Sequence, residues 1–446
     1  MSTSPHKLGF FSVTMIVISL VIGTGIFKTP ASIAASAGTP LIFYATWILG
    51  GLIALCGALT YAEIGSRLPV MGAYYKVFAY CYHPLVGFTV NALILVSNAA
   101  SLAIVALIGA DYVSDLLFGQ PSGTAFNVLV AILAVTLFYG VNLLGLKTSS
   151  RTQNILTLIK IGLVILLISS VFTGVQVAPH GYNPGRVLEY TGSNGWLLLM
   201  LSLIPVSFTY GGYQQTINFG SEVKSGRTLP QGIIVGILVV LGLYLSISFA
   251  YVKVIGFEEI KNASAIGALL FEAWFGPVGA KVFDVAMFLS VLAYVNIILM
   301  SNPRVMYAMA EDQVFPALFK LTNRQGVLVS ALTVYAAVTV VIIFLGKGVD
   351  NVLGFVMFLD SIGMGASAAT LFILRRQQVG QDQVQGAWTR FTPLLAGIFV
   401  CAYAVVAIAV VIQNPAAAGI GTGLMALFAG VYWGLYHRRA GGENAA

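Results

Sequence analysis

Charge is scarce in this chain. Only 8% of its 446 residues are Asp, Glu, Lys or Arg, against about 25% in a soluble globular domain. That excludes an ordinary soluble domain. Cysteine is almost absent too. Cys56, Cys81 and Cys401 all lie in or beside apolar stretches with no pairing pattern, so they read as small packing residues. The four histidines are scattered among loops and termini without metal-ligand spacing, so no metal site is expected. No phosphate-binding Gly-Lys loop is present, which argues against ATP drive. There is no nucleophile elbow and no pair of catalytic carboxylates, so an enzyme is not expected, nor a cofactor. The net charge of +7 does not imply a nucleic-acid partner, because the basic residues sit in short loops between apolar runs.

Hydrophobic residues are abundant. They make up 58% of the chain, and the mean hydropathy is +0.92. The class is an all-α polytopic membrane protein whose surrounding partner is the lipid bilayer. A spanning helix needs about 20 apolar residues. Twelve candidate spans meet or approach that length, near 8–37, 41–62, 85–110, 125–146, 152–174, 195–219, 230–254, 279–308, 327–346, 350–374, 392–413 and 418–436. The first is too long and lacks the small-residue site of a cleavable signal peptide. An even count puts both termini on one side. With a cytoplasmic N-terminus, fifteen Lys and Arg fall in inside loops and ends, and five outside. The excess of inside charge fixes that orientation, and the location expected is the cell inner membrane.

Two spans are interrupted. The first contains Val21-Ile22-Gly23-Thr24-Gly25-Ile26-Phe27, with Pro30 a turn later. Gly costs a helix interior roughly 1 kcal/mol relative to Ala, and Pro about 3. The cluster is either a small-residue face for close packing or a break that bares backbone groups to a cavity. Such helix ends attract a carboxylate at N–H groups and an ammonium at carbonyls. The sixth span carries a second interruption, from Pro205 to Gln214, which includes Gly211 and Gly212. Interrupted spans at matching positions of two halves point to a transporter binding site. Each opens a five-span unit, and an odd count inverts the second relative to the first. The chain then divides into a first repeat over 1–191, an inverted second over 192–376, and a final pair of spans with the tail over 377–446.

Few ionisable residues lie at membrane depth. Lys160 sits in the apolar run from Ile155 to Leu167. It is either a functional charge or a side chain snorkelling to the cytoplasmic face. Asp360 is either a proton site or a hydrogen-bond partner of a neighbouring hydroxyl. Glu63 is expected at the wet end of span 2, paired with a base. Asn91, Ser97, Asn98 and Ser101 either line a cavity or bond across helices. Spans 11 and 12 carry no midplane charge and read as scaffold or an oligomer face. A short helix is expected over the outer mouth around Ala268–Phe271.

Taken together these residues resemble the amino acid–polyamine–organocation (APC) superfamily of transporters, in particular the L-type amino acid transporter branch and its bacterial relatives. The motifs are Gly23-Thr24-Gly25-Ile26-Phe27; Glu63-Ile64-Gly65 with Pro69, Gly72 and Tyr74; Asn142 with Gly145 and Lys147; Lys160; Phe208, Tyr210, Gly211, Gly212 and Glu222; and Arg304, Tyr307, Ala310 and Pro316. The resemblance implies the LeuT-type five-plus-five inverted repeat with broken helices 1 and 6. It implies that N–H groups around Thr24, Gly25 and Ile26 bind the substrate carboxylate. Carbonyls near Val21, Ile22 and Phe208 meet the ammonium, Phe208 is the gate, and Tyr210 and Gly211 belong to the site. Lys160 stands where sodium-driven relatives hold a cation, and is expected to reach the span 1 carbonyls and Ser290. Thr24 departs from the usual Ser or Gly, and Tyr213 from the usual Trp. Heteromeric relatives carry a cysteine in the loop after span 3. That loop has none here, so no disulfide-linked heavy subunit is expected. The function implied is sodium-independent transport of small or medium neutral L-amino acids by alternating access, as exchanger or with protons. A carrier of polyamines or other organic cations is the alternative, with Asp360 and Asp284 as its only midplane carboxylates.

Overall fold

The computed structural model describes residues 7–119, 123–174, 195–263, 266–345, 349–384, 386–413 and 415–443. The expected boundary between repeats at 191/192 and the outer loop around it lie outside these residues. The described chain is helical, with two isolated β-bridges and no named strand. In order the helices are α1 (Phe10–Val21), α2 (Gly25–Ala37), α3 (Pro40–Arg67), α4 (Ala73–Cys81), α5 (Pro84–Phe118), α6 (Thr124–Leu143), α7 (Leu146–Ser169), α8 (Gly195–Thr209), α9 (Thr228–Val254), α10 (Phe257–Asn262), α11 (Ile266–Phe275), α12 (Pro277–Glu311), α13 (Val329–Leu345), α14 (Val349–Arg376), α15 (Thr392–Gln413) and α16 (Pro415–Glu443).

Local chemistry sets several ends. Pro84 opens α5, where its missing N–H would be unpaired anyway, and His83 Nδ1 accepts from Leu85 N at 3.1 Å. α5 and α12 each run 35 residues, about 50 Å at the helical rise. That exceeds the hydrocarbon thickness of about 30 Å, so both extend beyond it. They pack against each other, while α3 and α1 pack on α9 and α2 packs on α8.

Among the described residues, nine segments are long and apolar enough to cross a membrane. The other three expected spans are placed otherwise. Span 1 is split into α1 and α2, span 9 is the 17-residue α13, and span 12 lies within α16.

A further short helix, α4, lies between expected spans 2 and 3. It follows Gly72, which is in the left-handed region at φ +65°, where a Cβ would stand 2.4 Å from the Arg304 carbonyl oxygen. Glycine lets α4 lie against α12 at that point. The short helix expected around Ala268–Phe271 is α11, and a second short helix, α10, precedes it. α10 packs on α2 and α9, and α11 on α12.

Candidate functional site

Both interruptions are breaks in the helix. α1 ends at Val21, and Ile22, Gly23 and Thr24 leave the helix before α2 resumes at Gly25. The carbonyls at the end of α1 lack partners within the helix, and other elements supply them. The Tyr244 hydroxyl on α9 lies 3.0 Å from the Val21 oxygen and 3.3 Å from that of Thr209, so one phenol joins the two breaks. Lys160 Nζ on α7 donates to the Ile22 carbonyl at 2.5 Å. At the other side of the break, the first N–H groups of α2 have no partner within the helix, and Thr24 caps none of them with its side chain.

In the second break, α8 ends at Thr209, and Tyr210, Gly211 and Gly212 separate it from 3-10 turns over Tyr213–Asn218 and Gly220–Glu222. Gly212 has φ +109°, and a Cβ there would stand 2.4 Å from the Leu20 carbonyl oxygen. Only glycine lets the two breaks approach so closely. Thr29 and Thr209 share a hydroxyl bond of 2.8 Å, which ties α2 to α8.

A cavity of about 110 Å³ lies between the breaks, room for a ligand on the order of ten non-hydrogen atoms. Val21, Thr24, Gly25, Phe208 and Gly211 line it, together with Gly23, Thr209 and Gly212. Ile22 and Ile26 are fully buried and do not line it. Tyr210 does not line it either. Its ring turns into an aromatic cluster, 5.0 Å from Tyr244 and 5.9 Å from Trp47 between centroids. Phe208 is half-buried and packs beside Ile204, Phe358 and Leu359. The opposite wall comes from α5, α12 and α14, through Asn98, Tyr294, Asp360 and Ser361. Tyr403 and Val406 on α15 also line the cavity. Span 11 therefore contributes to the site, against the expectation that it is scaffold. An uncharged tyrosine in an apolar run gives no sequence signal.

Lys160 is fully buried, so it does not snorkel. Its expected bond to Ser290 is not formed: among the described residues the buried Ser290 hydroxyl has no hydrogen-bond partner. Below Lys160 a buried amide chain crosses four helices. Asn142 donates to Asn296 at 2.9 Å, Asn296 to Gln153 at 2.7 Å, and Gln153 to Ser19 at 2.5 Å. Asn98, read as either lining or glue, is both. It lines the cavity and donates to Asn302 at 2.8 Å.

A cluster of contacts ties α12 and the N-terminal segment to the 3-10 turn that follows the second break. Arg304 makes a two-pronged pair with Glu222, at 2.5 and 2.9 Å, and lies 4.4 Å from the Phe219 ring centroid. Leu8 exchanges backbone bonds with Glu222 and Lys224, at 2.7 and 2.9 Å. Glu63 is buried, not at a wet end, and pairs with Arg67 at 2.7 Å and Arg375 at 2.6 Å.

A polytopic helical bundle in which two interrupted helices meet at a cavity has the build of a secondary transporter. The chain belongs to the amino acid permease family, whose profile matches residues 8–436. It is 26% identical over 412 residues to the serine/threonine exchanger SteT of Bacillus subtilis (strain 168), covering 87% of this chain and 88% of that one. It is 25% identical over 441 residues to the large neutral amino acids transporter small subunit 2 of Homo sapiens, covering 96% and 81%. It is 24% identical over 439 residues to the Asc-type amino acid transporter 1 of Mus musculus, again covering 96% and 81%. The protein is thus a multi-pass membrane transporter, not an enzyme.

Proposed function

We propose that this protein exchanges neutral L-amino acids across the membrane by alternating access, without sodium. The observation that carries this is the cavity between the two breaks, which offers charge-complementary backbone to both ends of a zwitterion. The N-terminus of α2, at Thr24, Gly25 and Ile26, takes the carboxylate through N–H groups and the helix dipole. The ammonium goes to the Phe208 carbonyl, which keeps a second lone pair beside its bond from Gly211 N–H, and to the Val21 carbonyl, where it replaces one of the two present donors, Gly23 N–H and the Tyr244 hydroxyl. Ile22 serves indirectly, because its carbonyl is held by Lys160. The tethered ammonium of Lys160 supplies a positive charge beside the break, so no external cation is needed. Phe208 closes over the substrate, Tyr210 braces the second break from behind, and Ser290 is available to Lys160 in another stage of the cycle. The relatives are a serine/threonine exchanger and neutral amino acid transporters, which favours exchange.

The two breaks open two five-span units of opposite orientation, over 1–191 and 192–376, with 377–446 appended. Both termini face the cytoplasm, and the membrane is the inner membrane of a cell. Several matched relatives are small subunits by name. This chain works without a disulfide-linked partner, since Cys56, Cys81 and Cys401 lie on α3, α4 and α15 and none falls between α5 and α6.

The test is recognition of both charged groups. An amino acid, its amino alcohol and its deaminated acid are compared as competitors for uptake into proteoliposomes. The parent alone competes if both breaks bind. An amino alcohol as effective as the parent contradicts the carboxylate site at α2.

A further inference from the structure

We propose that Asp360 reads the substrate side chain, accepting a hydrogen bond from a short side-chain donor, so that hydroxyl-bearing amino acids are preferred to their alkyl isosteres. This rests on the reading of the cavity as the amino acid site. Asp360 is the one charged residue among the described residues that line the cavity. It lies on α14, across from the backbone groups of the two breaks that are assigned to the carboxylate and ammonium. Three hydroxyls that line the cavity with it are already bonded. The Tyr294 hydroxyl is 3.0 Å from Ser101 Oγ. The Tyr403 hydroxyl donates to the Ser207 carbonyl at 3.5 Å. Ser361 Oγ donates to the Phe358 carbonyl at 3.0 Å.

Among the described residues no side chain donates a hydrogen bond to Asp360 and no cation pairs with it. A carboxylate at membrane depth is costly unless something satisfies it. Here that partner has to enter with the ligand or as water. A substrate that brings an O–H replaces water at the carboxylate, whereas an isosteric methyl displaces water and leaves the acceptor unsatisfied. A site built to bond a hydroxyl therefore rejects the analogue that lacks one far more strongly than an apolar pocket separates two alkyl groups. The same charge disfavours aspartate and glutamate, whose carboxylates would face it across a small cavity. The cavity, with room for on the order of ten non-hydrogen atoms, leaves only a few beyond the amino acid backbone. A hydroxyl on the first side-chain carbon fits that reach, as in serine and threonine.

The experiment measures competition by threonine and valine, and by serine and 2-aminobutyrate, for exchange in proteoliposomes. It uses the wild type, Asp360→Asn and Asp360→Ala. The expected result is at least a tenfold preference for each hydroxyl member in the wild type. The ratio falls toward one in Asp360→Ala, whatever the absolute rate, with Asp360→Asn between. Equal competition by threonine and valine in the wild type overturns the proposal while leaving amino acid exchange intact. Persistence of the ratio in Asp360→Ala overturns it as well. So does an equal loss of threonine and valine, which would put the carboxylate on the α-ammonium instead. A wild type that exchanges no amino acid at all overturns the proposed function itself.

Discussion

Lys160 Nζ donates to the carbonyl of Ile22, 138 positions away, at the point where α1 stops being a helix. A carbonyl orphaned by the break thus gains a charged donor, and a buried ammonium gains an acceptor. Neither residue lines the cavity. Under the proposed function, Lys160 acts on the substrate only through the shape of the break. Lys160→Ala is expected to lose most uptake while the protein still folds. Uptake into proteoliposomes, with size-exclusion profiles as the control for folding, checks this. Full activity in the variant contradicts it.

Gly212→Ala is expected to abolish transport. The new Cβ would stand 2.4 Å from the Leu20 carbonyl oxygen, on a backbone at φ +109°. Strained backbone of this kind costs about 1–3 kcal/mol, and separating the breaks removes the cavity wall. Gly242→Ala on α9 is the contrast, because nothing lies within 4 Å of its Cβ position. That change is expected to be neutral or stabilising by up to about 1 kcal/mol. Thermal unfolding of both variants, with uptake, separates the two cases.

The breaks were legible because glycine and proline are costly inside spanning helices, so clusters such as Gly23-Thr24-Gly25 and Tyr210-Gly211-Gly212 stand out. Lys160 was legible for the same reason, being a charge in an apolar run. Tyr244, Tyr403 and Asn98 were not, or only as alternatives. A single polar residue in an apolar helix looks the same whether it bonds a neighbouring helix or faces a cavity. What distinguishes Tyr244 is its position against Val21, 223 residues away. Tyr210 misled in the opposite direction. It belongs to the second break, but its ring faces Trp47 and Tyr244. α4 was hidden because it is only nine residues long, too short to stand out as a span.

Phe208→Ala is expected to impair uptake more than stability. The ring is half-buried against Ile204 and Phe358 at the cavity edge, so its loss opens the cavity more than it hollows the core. Comparison of uptake with the thermal midpoint checks the split. Near-normal uptake by a well-expressed variant removes the gate role.

Glu63→Gln is expected to destabilise the fold. Glu63 is fully buried between Arg67 and Arg375, and Arg375 keeps a quarter of its side-chain exposure. Removing one partner of a buried pair costs about 3 kcal/mol, because the remaining charge is left without compensation. A double-mutant cycle with Arg375→Leu is expected to show strong coupling, since the second change removes one of the stranded charges. Additive losses in thermal stability would contradict the pairing as the cause.

The central claim is sodium-independent exchange, and counterflow tests it most directly. Proteoliposomes holding the wild-type protein are loaded with unlabelled neutral amino acid or left empty, and uptake of labelled neutral amino acid is followed with and without sodium. The account predicts rapid uptake into loaded vesicles, little into empty ones, and the same rates in both media. Strict dependence on sodium, or equal uptake into empty and loaded vesicles, would contradict it.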